Sequence, residues 1–189
     1  MKTTLILGGA RSGKSTHAEA LAAKDAKVLY VATARALDDD MARRIRRHRE
    51  ERPASWVTLE APRGVGAALR ASGFAGGTVL LECLTLLACN VLLARSGGPG
   101  ADAGIDAAAA EAELLLELFE LREAAKACGV RHLIIVSNEV GLGIVPDNAL
   151  SRAYRDLLGR ANQRTAAWAD EVLLLVAGIP MVVKAAPGA

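Results

Sequence analysis

The sequence predicts an α/β fold, a mostly parallel sheet with helices on both faces. Three observations carry that prediction. Short apolar runs rich in β-branched residues alternate with stretches of helical character. Several runs end in glycines, small residues or a carboxylate, as strands do where an open sheet meets a ligand. The first run passes straight into a glycine-rich turn and then a helix. The chain has 189 residues, 52% apolar and 23% charged, enough for a real core and too apolar for disorder. One domain over residues 1–189 is expected.

The elements follow in order. Thr3–Leu7 is the first strand and Thr16–Ala23 the first helix. Between them, Gly8-Gly9-Ala10-Arg11-Ser12-Gly13-Lys14-Ser15 matches the pattern G-x-x-x-x-G-K-[ST] of a phosphate-binding loop. The glycines let the backbone curl so that N–H groups point at phosphate oxygens. The helix adds the positive end of its dipole. Lys14 reaches the β- and γ-phosphates, and the Ser15 hydroxyl can hold Mg²⁺. The fold class narrows to a P-loop NTPase of RecA-like type.

Lys27–Val31 is the second strand, ending in Ala32-Thr33-Ala34, small enough for a ligand to come close. Asp38-Asp39-Asp40 precedes a basic helix from Met41 to Arg52, acids first and bases later as the helix dipole favours, and Pro53 stops it. At helical spacing Met41, Ile45, His48 and Arg52 share a face, whereas Arg43, Arg46, Arg47 and Arg49 fall mostly elsewhere. Trp56–Glu60 is a short strand ending in a carboxylate. Thr78–Glu82 is an apolar strand ending in an acid, the position from which an acid reaches the water shell of Mg²⁺. Ser96–Gly100 is an exposed connection. A long amphipathic helix runs from about Ile105 to Cys128 and Gly129 ends it. Arg131–Ser137 is a buried strand opening into the polar, glycine-containing loop Asn138–Asn148. The helix Ala149–Ala169 is rich in hydrogen-bonding side chains between Arg152 and Gln163. Two short strands, Glu171–Val176 and Met181–Lys184, follow. Right-handed crossovers then bring the phosphate loop, Ala32–Ala34, Glu82 and Asn138–Gly143 to one sheet edge.

The net charge of +2 gives no global field for nucleic acid. Cys83, Cys89 and Cys128, an odd number without C-x-x-C, read as reduced thiols of a cytoplasmic protein. No apolar run is long enough to span a bilayer, and the phosphate loop occupies the place of a signal peptide.

Six segments in this order resemble one known family. They are Gly8–Ser15, Tyr30–Ala34, Met41-x-x-Arg44-Ile45-x-x-His48-x-x-x-Arg52-Pro53, Leu80–Thr85, Ser137-Asn138-Glu139-Val140-Gly141-x-Gly143-Ile144-Val145-Pro146 and Tyr154-Arg155-Asp156-x-x-Gly159-x-x-Asn162-Gln163. The family is the bifunctional adenosylcobinamide kinase/adenosylcobinamide-phosphate guanylyltransferase of cobalamin (vitamin B12) biosynthesis. The resemblance implies phosphorylation of adenosylcobinamide by ATP or GTP. It then implies transfer of GMP from GTP to the phosphate through a GMP–histidine intermediate at the position of His48. Arginines near His48 favour the neutral imidazole that a nucleophile needs and neutralise the phosphates under attack. Lys14 is the second catalytic candidate. Gly8, Gly9, Ala10, Arg11, Ser12, Gly13, Lys14 and Ser15 are expected to grip phosphates, with Ser15 and Glu82 at Mg²⁺. At family level, Ala32, Thr33, Ala34, Glu60 and the residues after His48 (Arg49, Glu50, Glu51) shape a guanosine pocket. Asn138, Glu139 and the polar face from Arg152 to Gln163 are expected to meet the corrinoid or a neighbouring subunit of a homotrimer. Three rivals compete: a monofunctional kinase with an inert His48, a GTPase switch, for which the Asn-Lys-x-Asp signature is missing, and a nucleic-acid-dependent ATPase, for which an aromatic platform is missing.

Overall fold

The computed structural model describes residues 1–36, 38–50, 52–96, 104–186 and 188, apart from the side chain of Arg44. Its strands are β1 (Lys2–Gly8), β2 (Val28–Ala32), β3 (Val57–Glu60), β4 (Thr78–Glu82), β5 (His132–Val136), β6 (Glu171–Val176) and β7 (Ile179–Lys184). Its helices are α1 (Lys14–Ala22), α2 (Asp39–Glu50), α3 (Val65–Ala71), α4 (Leu84–Ala94), α5 (Ala107–Ala127) and α6 (Ala149–Trp168). The strands form one seven-stranded sheet in the order β3-β2-β4-β5-β1-β6-β7. All pairs are parallel except β6–β7. That last pair is a hairpin turning at Ala177 and Gly178, both at positive φ (51° and 82°), the conformation whose twist suits two strands joined by two residues.

The predicted P-loop α/β architecture is the one observed. β5 stands between β1 and β4, so one strand separates the phosphate loop from the Glu82 strand, as the RecA-like type requires. Parallel strands need crossovers, and the helices that supply them cover both faces. The coverage is uneven. On one face Ile6, Tyr30, Leu80, Ile134 and Leu175 pack with Ala18 and Ala22 of α1. On the other, Leu5, Leu29, Val31, Leu81 and Ile135 pack under residues of α3, α4, α5 and α6. Alternation along each strand sends its side chains to the two cores in turn.

Two helices were not anticipated. α4 is nearly all apolar and buried along Leu84, Leu87, Ala88, Val91 and Leu92, so it carries no polar stripe for periodicity to detect. α3 is short and lies so close to α5 that a Cβ on Gly66 would sit 2.6 Å from the Glu120 carbonyl carbon. Glu117 of α5 accepts the first two amides of that region, Gly64 N (2.5 Å) and Val65 N (2.9 Å), a carboxylate at the positive end of a helix. α1 begins at Lys14, two residues earlier than expected, because Gly13 caps it, and α2 ends at Glu50, two residues before Arg52. Beyond Ser96 the expected exposed connection lies outside the described residues.

Candidate active site

Because β1 to β6 run parallel, their carboxyl ends share an edge. Register fixes the line: Glu60, Ala32, Glu82 and Val136 are successive neighbours across β3, β2, β4 and β5, with Ile6 opposite Val136. Gly8 stands two residues further out and begins the phosphate loop.

The loop's shape depends on its glycines. Gly8 has φ of 156°, and a Cβ there would meet Ser12 Oγ at 2.5 Å and the Leu175 carbonyl oxygen at 2.7 Å. Arg11 takes a left-handed φ of 56°. The loop is braced from outside by Gly178, whose N–H donates to the Ser12 carbonyl at 2.9 Å, and by Glu139, whose N–H donates to the Gly8 carbonyl at 3.0 Å. Arg11 to Thr16 line an open depression of about 240 Å³. A wider one of about 410 Å³ lies against α6, lined by Glu111 and Arg160, which pair with each other; it includes none of the loop residues.

Lys14 is buried, and its Nζ donates to the Gly9 carbonyl at 2.6 Å. Burial pulls its pKa below the usual lysine value, with the charge of Glu82 and then Cys83 opposing. Ser15 Oγ donates to Glu82 Oε1 at 2.7 Å. Burial pushes the Glu82 carboxyl up to about 7; the Ser15 hydrogen bond works against that shift, Glu19 adds to it, and Lys14 and Arg52 oppose it. Glu82 Oε2 and Ser12 Oγ are buried without hydrogen-bond partners. A hydroxyl beside an orphaned carboxylate oxygen, at the mouth of a phosphate loop, fits the Mg²⁺ that the loop pattern implies. Among the described residues no group of three or more His, Cys, Asp or Glu converges on a metal site.

On α2, His48 lies half-buried with Met41 and Ile45, and the half-buried Arg52 follows on the same side, while Arg43, Arg46, Arg47 and Arg49 are exposed. That is the division the spacing predicted. Charged contacts tie the end of this segment to the sheet edge. Arg49 forms an ion pair with Glu60, so two of the expected pocket residues meet. The Arg52 guanidinium lies 3.5 Å from the Tyr30 ring centroid and donates to Thr58 Oγ1 at 3.3 Å. This stacking on β2 was not foreseen; no local pattern links position 52 to position 30. Glu50 is exposed, and Glu51 lies outside the described residues.

Thr33 is fully buried. Its hydroxyl donates to the Cys83 carbonyl (2.8 Å) and accepts from Cys83 N (2.9 Å), and its carbonyl accepts from Asn90. The Thr33 side chain therefore clamps β2 to the start of α4, where contact with a ligand was expected; Ala32 and Ala34 stay partly accessible. The polar face of α6 is likewise largely used internally. Asn162 accepts from Ser137 Oγ (2.7 Å) and donates to the Asn138 carbonyl (3.0 Å), and Tyr154 donates to the Thr85 carbonyl at 3.2 Å. His132, on β5, shares a 2.9 Å hydrogen bond with Thr4 and is held neutral by burial, which pulls its pKa to about 4. The three cysteines are free.

Comparison with known proteins bears on which phosphate-loop enzyme this is. Residues 4–183 match the model of the family described as cobinamide kinase / cobinamide phosphate guanyltransferase. The chain belongs to that family. Its relatives include the bifunctional adenosylcobalamin biosynthesis protein CobU of Salmonella typhimurium, 46% identical over 95% of this chain and 98% of that protein. The CobU protein of Escherichia coli is 43% identical over the same shares. The CobP protein of Pseudomonas aeruginosa is 46% identical over 97% of this chain and 98% of that one. Among solved structures, the P4 protein of bacteriophage phi6 in complex with ADP aligns with a TM-score of 0.44 at 17% identity, over 95% of this chain and 52% of that one, too distant to add to the topology. As a cobinamide kinase/guanyltransferase of adenosylcobalamin biosynthesis, the chain is an enzyme. No described helix is long and apolar enough to cross a membrane.

Proposed function

We propose that the chain phosphorylates adenosylcobinamide and then guanylylates the product. In the first step the terminal hydroxyl of the aminopropanol arm attacks the γ-phosphorus of ATP or GTP; the diphosphate leaves and the hydroxyl proton is lost. In the second, a nitrogen of His48 attacks the α-phosphorus of GTP and pyrophosphate leaves. The phosphate of adenosylcobinamide phosphate then displaces His48, giving adenosylcobinamide-GDP. Gly8 to Ser15 grip the phosphates in both displacements, and Lys14 offsets charge on the transferring group. Mg²⁺, when bound beside Ser15 and Glu82, neutralises phosphate charge. Ala32, Ala34, Glu60 with Arg49, and Glu50 and Glu51 border the guanosine, and Asn138 and Glu139 lie toward the corrinoid. One nucleotide-binding domain over residues 1–189 does this in the cytoplasm, as a homotrimer.

The observation that carries the reading is the family match over residues 4–183 together with a half-buried His48 on a helix that also carries Arg46, Arg47 and Arg49. Such a cluster stabilises both the attacked phosphate and the departing pyrophosphate. Incubation with GTP labelled at the α-phosphate tests it. An acid-labile, hydroxylamine-stable adduct is expected, absent in His48→Ala. A folded, unsubstituted protein that takes up no label would leave a kinase with an inert histidine.

A further inference from the structure

We infer that the loop tip Leu142–Val145 is the surface on which the apolar face of the acceptor's macrocycle rests, an inference that depends on the proposed acceptor. Leu142 is 86% exposed, Ile144 96% and Val145 57%. Single exposed aliphatic residues are ordinary, but three within four positions of one turn make a patch. The patch is held in place at both ends. Glu139 bonds to Gly8 of the phosphate loop and accepts from Gly141 N at 2.5 Å. Asn138 N donates to Thr85 Oγ1 at 2.9 Å. Arg152 donates to the Pro146 and Asp147 carbonyls at 2.9 and 2.5 Å.

Its place selects its occupant. β5 is the direct neighbour of β1, so the loop leaves the sheet beside the phosphate grip, and its apolar tip begins three residues after the Glu139–Gly8 bond. A kinase acceptor must bring its hydroxyl in line with the γ-phosphorus, so the body of a large acceptor has to lie over this edge. The β2–β3 side of the edge is lined by charge, Arg49, Arg52 and Glu60. The β5 side offers aliphatic side chains. A corrin, whose rim carries methyl groups and amides, matches the aliphatic side and not the charged one. Burying a branched aliphatic side chain is worth about a factor of ten in affinity.

The test is Leu142→Ser/Ile144→Ser in the full chain. The acceptor KM in the kinase reaction should rise at least about tenfold, with the KM for ATP, the GMP adduct formed from GTP alone and the particle mass by light scattering unchanged. Leu142→Met/Ile144→Val should keep the acceptor KM. An unchanged acceptor KM in the serine variant would overturn the inference. So would a smaller particle mass, which would mean that a second copy of the chain covers the loop. Because the adduct forms without acceptor, its absence from the unsubstituted chain counts against the transfer chemistry alone and leaves the loop's effect on kinase KM readable.

Discussion

At the scale of single residues, the candidate site is built on the buried Lys14 and the Glu82 carboxyl. Lys14 donates to a carbonyl of its own loop and has the reach to exchange that partner for a phosphate oxygen. Lys14→Ala should lower kcat/KM of the kinase reaction by about a thousandfold or more, with circular dichroism unchanged; unaltered turnover would refute its role. These positions were legible in the sequence because their signal is local: an eight-residue loop pattern and an acid at the end of an apolar run. The Thr33 clamp and the Arg52–Tyr30 stack were not legible. Each joins segments more than twenty residues apart, and nothing within either segment encodes the partner.

At the scale of elements, strands and the long amphipathic helices were readable from period and caps, to within about two residues at their ends. α4 was missed because burial on all sides removes the polar stripe, and α3 because seven residues hold too few turns to show a period. α3 also has a constraint no propensity reveals. Gly66 allows its backbone to touch that of α5, and backbone cannot move aside as a flexible side chain does. Gly66→Ala should therefore destabilise the protein by roughly 1–3 kcal/mol, seen as a lowered denaturant midpoint, although alanine is the better helix former. A midpoint equal to or above that of the unsubstituted chain would show that the two helices adjust freely.

At the scale of the whole molecule, two half-buried titrating groups set opposing pH dependences. The Glu82 pKa is raised from 4.5 to about 7, so between those values the folded chain keeps a proton that the unfolded chain has lost, and stability falls as pH rises. The His132 pKa is lowered from 6.5 to about 4, so between those values the unfolded chain holds the extra proton, and stability rises with pH. Between pH 5 and 6.5 the two slopes work against each other. In nucleotide-free, metal-free protein, Glu82→Gln should gain stability relative to the unsubstituted chain as pH rises through that window. Parallel midpoint curves for the two proteins would contradict the Glu82 assignment. The order of synthesis adds a constraint of another kind. β1 lies between β5 and β6, and the amide that braces Ser12 comes from Gly178. The phosphate grip is thus made well before the segments that complete it. While the roughly 120 residues between β1 and β5 are being made, β1 has neither neighbour and is exposed to whatever else would pair with it.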